Sequence, residues 1–99
     1  MIAVLLGGHG GSEARYTATA AELGYRLVYA EHKMSNARWV QLVKGQVAVV
    51  LLPTGTSSHA QRQQARDLCS ATGARLVQLR TATVSAVKAA LQQLGQGAR

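Results

Sequence analysis

The sequence has no phenylalanine, one proline, one cysteine and one aspartate, and only four acidic residues stand against eleven Lys and Arg. A lone cysteine, Cys69, excludes an internal disulfide and any zinc site built from several cysteines. A lone aspartate, Asp67, excludes the carboxylate cluster of a receiver-type phosphorylation site. No apolar run approaches the ~18–20 residues of a membrane span. The opening MIAVLL is too short for a signal-peptide core and has no basic leader, so a cytoplasmic chain is expected.

The scarcity of acids gives a net charge of +7, which raises nucleic acid as a partner. The basic residues are nevertheless scattered, with no basic run, and aromatic residues at 4% leave little for base stacking. An anionic small molecule accounts for the charge equally well, and nucleic acid is the weaker expectation.

What is present is a regular alternation over 99 residues, enough for a single domain with one core. Residues 2–6 (IAVLL) form a continuous apolar strand, the pattern of a sheet buried on both faces. Ser12 is positioned to cap a helix over residues 13–23, which Gly24 ends. Residues 26–30 (RLVYA) form a second strand. Ser35 or Asn36 opens a helix carrying Trp39, Val40, Leu42 and Val43, stopped by Gly45. Residues 47–52 (VAVVLL) form a third strand, ended by Pro53.

Ser58 and Gln61 fit a capping box, followed by Ala65, Leu68, Cys69 and Thr72 at helical spacing and by Gly73. Residues 75–79 (RLVQL) form the fourth strand. Thr83 caps a last helix with Val84, Val87, Leu91 and Leu94 turned inward. Four βα units in succession predict an α/β fold: a small parallel sheet with helices on both faces, Rossmann-like or flavodoxin-like. A strand order of 2-1-3-4 places the topological switch between strands one and three, and ligands bind beyond the carboxyl ends there.

All three histidines fall just past strand ends on that edge. His9 follows strand one within Gly7–Gly8–His9–Gly10–Gly11–Ser12, His32 follows strand two, and His59 closes Pro53–Thr54–Gly55–Thr56–Ser57–Ser58 after strand three. Arg80 and Thr81 follow strand four. Two Gly/Ser/Thr-rich loops leading into helix N-termini offer backbone N–H groups to an anion. Gly8, Gly10, Thr54, Ser57 and Ser58 are the candidate ligand contacts in these loops. Arg15 and Arg80 can add charge-assisted bonds, and Tyr16 faces either the core or the site.

Familiar catalytic patterns fail in detail. From Gly8, the dinucleotide fingerprint ends on Glu13 in place of glycine or alanine, although Glu31 sits where a ribose-binding acid would lie. Cys69 and Arg75 have the spacing of a cysteine phosphatase loop, but the cysteine is in a helix and the arginine starts a strand. No nucleophile elbow or buried acid supports a serine hydrolase. With no base and orienting partner to name, a binding protein is preferred to an enzyme.

Gly7–Gly8–His9, Arg15–Tyr16, His32, Pro53–Thr54, Ser58–His59 and Leu79–Arg80–Thr81 occur in the order seen in a bacterial family of unknown function, domain family 2325. The chain resembles that family over nearly its whole length. It departs from the pattern at Gly55, where relatives often carry aspartate, which removes support for a hard-cation role. The resemblance implies haem b as cofactor, with His9, His32 or His59 as axial ligand, and a homodimer, domain-swapped or not. It also implies haem or gas sensing, transport or iron homeostasis. The alternative is a phosphate- or nucleotide-binding module using the two Gly/Ser loops.

Overall fold

The computed structural model describes residues 1–30, 35, 41, 44–45 and 47–97. Their order is β1 (Ile2–Leu6), α1 (Glu13–Glu22), β2 (Arg26–Ala30), β3 (Val47–Pro53), α2 (His59–Thr72), β4 (Arg75–Leu79) and α3 (Val84–Gly97). A short 3-10 turn, Gly10–Ser12, leads into α1. The strands form one all-parallel sheet in the order β2-β1-β3-β4, so the fold is the expected doubly wound α/β arrangement. The helix expected between Ser35 or Asn36 and Gly45 lies, for most of its length, outside the described residues.

The unbroken apolar character of β1 follows from burial on both sides. Ala3 and Leu5 join a core layer with Tyr16 and Ala20 of α1, Val49 and Leu51 of β3, and Val87 and Leu91 of α3. Val4 and Leu6 point the other way, packing with Val50, Leu52 and the α2 residues Ala65 and Leu68. Successive side chains of a strand alternate faces, so one apolar run supplies both layers. Helices therefore cover both faces, with α1 and α3 on one and α2 on the other.

Helix ends are set by local chemistry. Gly24, at φ +85, ends α1 in a Schellman arrangement, with Tyr25 N–H donating to the Ala20 carbonyl and Gly24 N–H to that of Ala21. Gly73, at φ +74, ends α2 in the same left-handed conformation. Ser58 and Gln61 form the reciprocal capping box, with Gln61 N–H donating to Ser58 Oγ at 3.1 Å and Ser58 N–H to Gln61 Oε1 at 3.0 Å. Thr83 Oγ1 accepts from Ala86 N–H at the start of α3.

Two expectations need correction. Ser12 stands at the N-cap of α1, but its side chain makes no capping bond, because the preceding 3-10 turn brings the chain in with Ser12 N–H donating to the His9 carbonyl. Strand β3 extends through Pro53, which registers with Leu79 of β4 before the turn begins.

Leu51 is fully buried at the centre of the sheet, whereas Thr83 is exposed and acts through one capping bond. Leu51→Ala is expected to cost about 2–5 kcal/mol and Thr83→Ala about 1 kcal/mol. Urea denaturation followed by far-UV circular dichroism measures both. Equal losses would show that central packing does not dominate the fold.

Candidate functional site

The carboxyl ends of β1, β3 and β4 are bonded to one another before any side chain meets solvent. Gly7 turns the chain out of β1 at φ +93, with its N–H donating to the Ala30 carbonyl at the end of β2. A Cβ placed on Gly7 would lie 2.7 Å from Ser57 Oγ and 3.1 Å from Ser57 Cα, so the loops after β1 and β3 pass backbone against backbone. Ser57 Oγ lies 2.8 Å from the Leu6 carbonyl and 2.6 Å from that of Pro53, sharing its one proton between the two strand ends.

Tyr16 supplies the second tie. Its side chain is fully buried beneath the loop after β1, and its ring centroid lies 5.7 Å from that of Tyr29. Its hydroxyl donates to the Ala82 carbonyl, after β4, and accepts from the His9 N–H at 3.3 Å. Gly8, at φ +142, lets the loop settle there; its Cβ would meet the Tyr29 ring at 3.3 Å and the Tyr16 hydroxyl at 3.4 Å. The third tie is Thr54, whose N–H and hydroxyl both donate to the Leu79 carbonyl, at 3.0 and 3.3 Å.

These bonds divide the expected site residues into two groups. The hydroxyls of Tyr16, Thr54, Ser57 and Ser58 are committed to internal partners, so they hold the loops in place. His9, His59, Arg15 and Arg80 are exposed, and Gly10 is half-buried in the 3-10 turn. Neither Arg15 nor Arg80 has a hydrogen-bond or ion-pair partner among the described residues. His32 lies outside the described residues. Among the described residues, no three His, Cys, Asp or Glu side chains group as metal ligands.

Two contributors were not singled out as site residues from the sequence. Arg62, in the first turn of α2, donates from its guanidinium to the Thr54 carbonyl at 3.0 Å, adding a cation to the loop after β3. Gln61 is buried and donates from Nε2 to the Ala30 carbonyl at 3.2 Å, so it joins the α2 cap to the end of β2. Only its capping half is visible in the local pattern. Cys69 is half-buried against the α2 layer, and burial raises its thiol pKa, which suits an inert packing residue.

The fold and this bonded strand-end edge define a small doubly wound α/β domain with His9 and His59 exposed just past the ends of β1 and β3, the strands on either side of the topological switch point. Residues 2–94 match the family described as "Uncharacterized protein conserved in bacteria (DUF2325)", and the chain belongs to that family. No curated protein matches the sequence. No helix among the described residues is long and apolar enough to cross a membrane.

The Gly7–Ser57 approach is testable against a glycine nearby. Gly7→Ala meets both a positive φ and Ser57 Cα and should cost about 2–4 kcal/mol. Gly11 has no neighbour within 4 Å of its Cβ position, so Gly11→Ala should change stability by less than about 0.5 kcal/mol. Chemical denaturation of both variants checks the contrast.

Proposed function

We propose that this domain is a non-catalytic haem-binding protein of the cytoplasm that holds haem b at the carboxyl edge of its sheet through a histidine on iron. The observation that carries the reading is the placement of two exposed imidazoles, His9 and His59, on loops whose backbones touch at Gly7 and Ser57. The donor set suits the group: imidazole is a common protein ligand for haem iron, and cations or backbone N–H groups suit its propionates. Arg15 and Arg80, exposed and without acidic partners among the described residues, are the side chains that would take the propionates. Bound haem would supply an iron centre open to a diatomic gas or to release of the haem itself, which fits sensing, transport or iron homeostasis.

The edge of a four-stranded domain is shallow, and covering both faces of a porphyrin calls for a second chain. A homodimer, with or without exchange of elements, belongs to this reading. A second reading rests on the start of α2, where the N–H groups of His59 and Ala60 have no acceptor among the described residues. A helix N-terminus of this kind accommodates phosphate, so a nucleotide or other phosphate-bearing ligand is the alternative.

Hemin titration followed by absorption separates the two. The protein should sharpen and shift the Soret band, and His9→Ala, His32→Ala or His59→Ala should weaken binding about tenfold or more, the order of loss when a tight polar contact is removed. An unchanged band in the native protein, or full binding by all three variants, contradicts the haem reading. A large rise in melting temperature with one nucleotide and none with hemin would favour the phosphate reading.

A further inference from the structure

Away from the histidines, β4 forms one edge of the sheet and, among the described residues, pairs only with β3. In a parallel strand, both backbone groups of a residue face one side and alternate along the chain. The Leu79 carbonyl accepts from Thr54 on the β3 side, so Leu76 and Gln78 present their N–H and C=O groups outward. Two adjoining grooves of about 450 and 440 Å³ lie along this strand against α3 and share Val77, Gln78, Ala90 and Gln93. Val77, Ala90 and Leu94 give them apolar surface, and Arg75 and Arg80 stand at the two ends.

The charge on this face has one sign. β4, α3 and the turn between them carry Arg75, Arg80 and Lys88 and no Asp or Glu. Arg75, Arg80 and Lys88 are exposed. An antiparallel second copy of β4 would bring the Arg75 end of one strand beside the Arg80 end of the other, a like-charge pairing that disfavours self-association. Charge at a strand edge guards it against unwanted pairing, and here the all-basic charge disfavours basic or identical strands while leaving the edge open to an acidic one.

We infer that the β4 edge is a docking site for an extended acidic segment of another protein, added as a fifth strand beside β4. The main-chain groups of Leu76 and Gln78 supply the pairing, the apolar groove takes alternate side chains, and Arg75 and Arg80 select acidic residues at the ends. The site does not rest on the haem reading: it uses the lateral edge of the sheet, away from His9 and His59, and shares with that reading Arg80 at the end of β4.

Fluorescence anisotropy of the full chain tests this with a labelled ten-residue peptide alternating valine and glutamate. Binding should weaken at least tenfold when lysine replaces glutamate, and at least tenfold when alternate backbone amides of the peptide are N-methylated. Gln78→Pro, which removes an outward N–H, should act in the same direction; the methylated peptide gives the same information on the native chain if that variant does not fold. Equal binding of the lysine or methylated peptide overturns the inference. Displacement by single-stranded DNA, or a native dimer abolished by Gln78→Pro, also overturns it, in favour of nucleic acid or a second copy.

Discussion

The contact between Gly7 and Ser57 is the constraint on which the rest of the edge depends. Two neighbouring parallel strands leave the sheet side by side, and their following loops must diverge to opposite faces, one into α1 and the other into α2. At Gly7 the absence of a Cβ allows the chains to touch, and Ser57 joins the carbonyls of Leu6 and Pro53 across the gap. A larger residue at position 7 would separate the loop that carries His9 from the one that leads into α2 at His59. The switch-point topology supplies the location, and this contact brings the two loops together there.

The other ties extend the same logic. Tyr16 reaches from α1 to the loop after β4 and holds the His9 backbone from below, while Thr54 binds the ends of β3 and β4. A buried hydroxyl such as that of Tyr16 would be costly without a partner, and it has one. The polar groups beneath the edge are therefore structural, and those above it are free to meet a ligand. A ligand then need not order the loops on arrival, which lowers the entropic cost of binding.

Much of the fold was legible because its signals are local. Short continuous apolar runs marked the strands, and Gly24, Gly73, Thr83 and the Ser58–Gln61 pair marked helix ends within four residues of the groups they satisfy. The four βα repeats then restricted the sheet to very few orders. Among the site hydroxyls only the capping role of Ser58 was legible; those of Tyr16, Thr54 and Ser57 were not, because their partners are distant in sequence, 66, 25 and 51 residues away. A serine in a glycine-rich loop reads as a ligand contact until the opposing strand end is known. Arg62 escaped notice for another reason: its partner, the Thr54 carbonyl, is close in sequence, but their meeting depends on how the turn before α2 folds back. Ser12 shows the reverse error, a good cap residue displaced by a tight turn that sequence spacing does not reveal.

Paramagnetic broadening in ¹H–¹⁵N spectra, with hemin added below one equivalent, tests most directly whether the bonded strand-end edge is the ligand site. Amide signals of His9, Gly10, Gly11, His59 and Ala60 should broaden first, while those of Tyr25 and Arg26 at the opposite end of the sheet should stay sharp. Broadening centred on the Tyr25–Arg26 end, or spread evenly over the molecule, would contradict it.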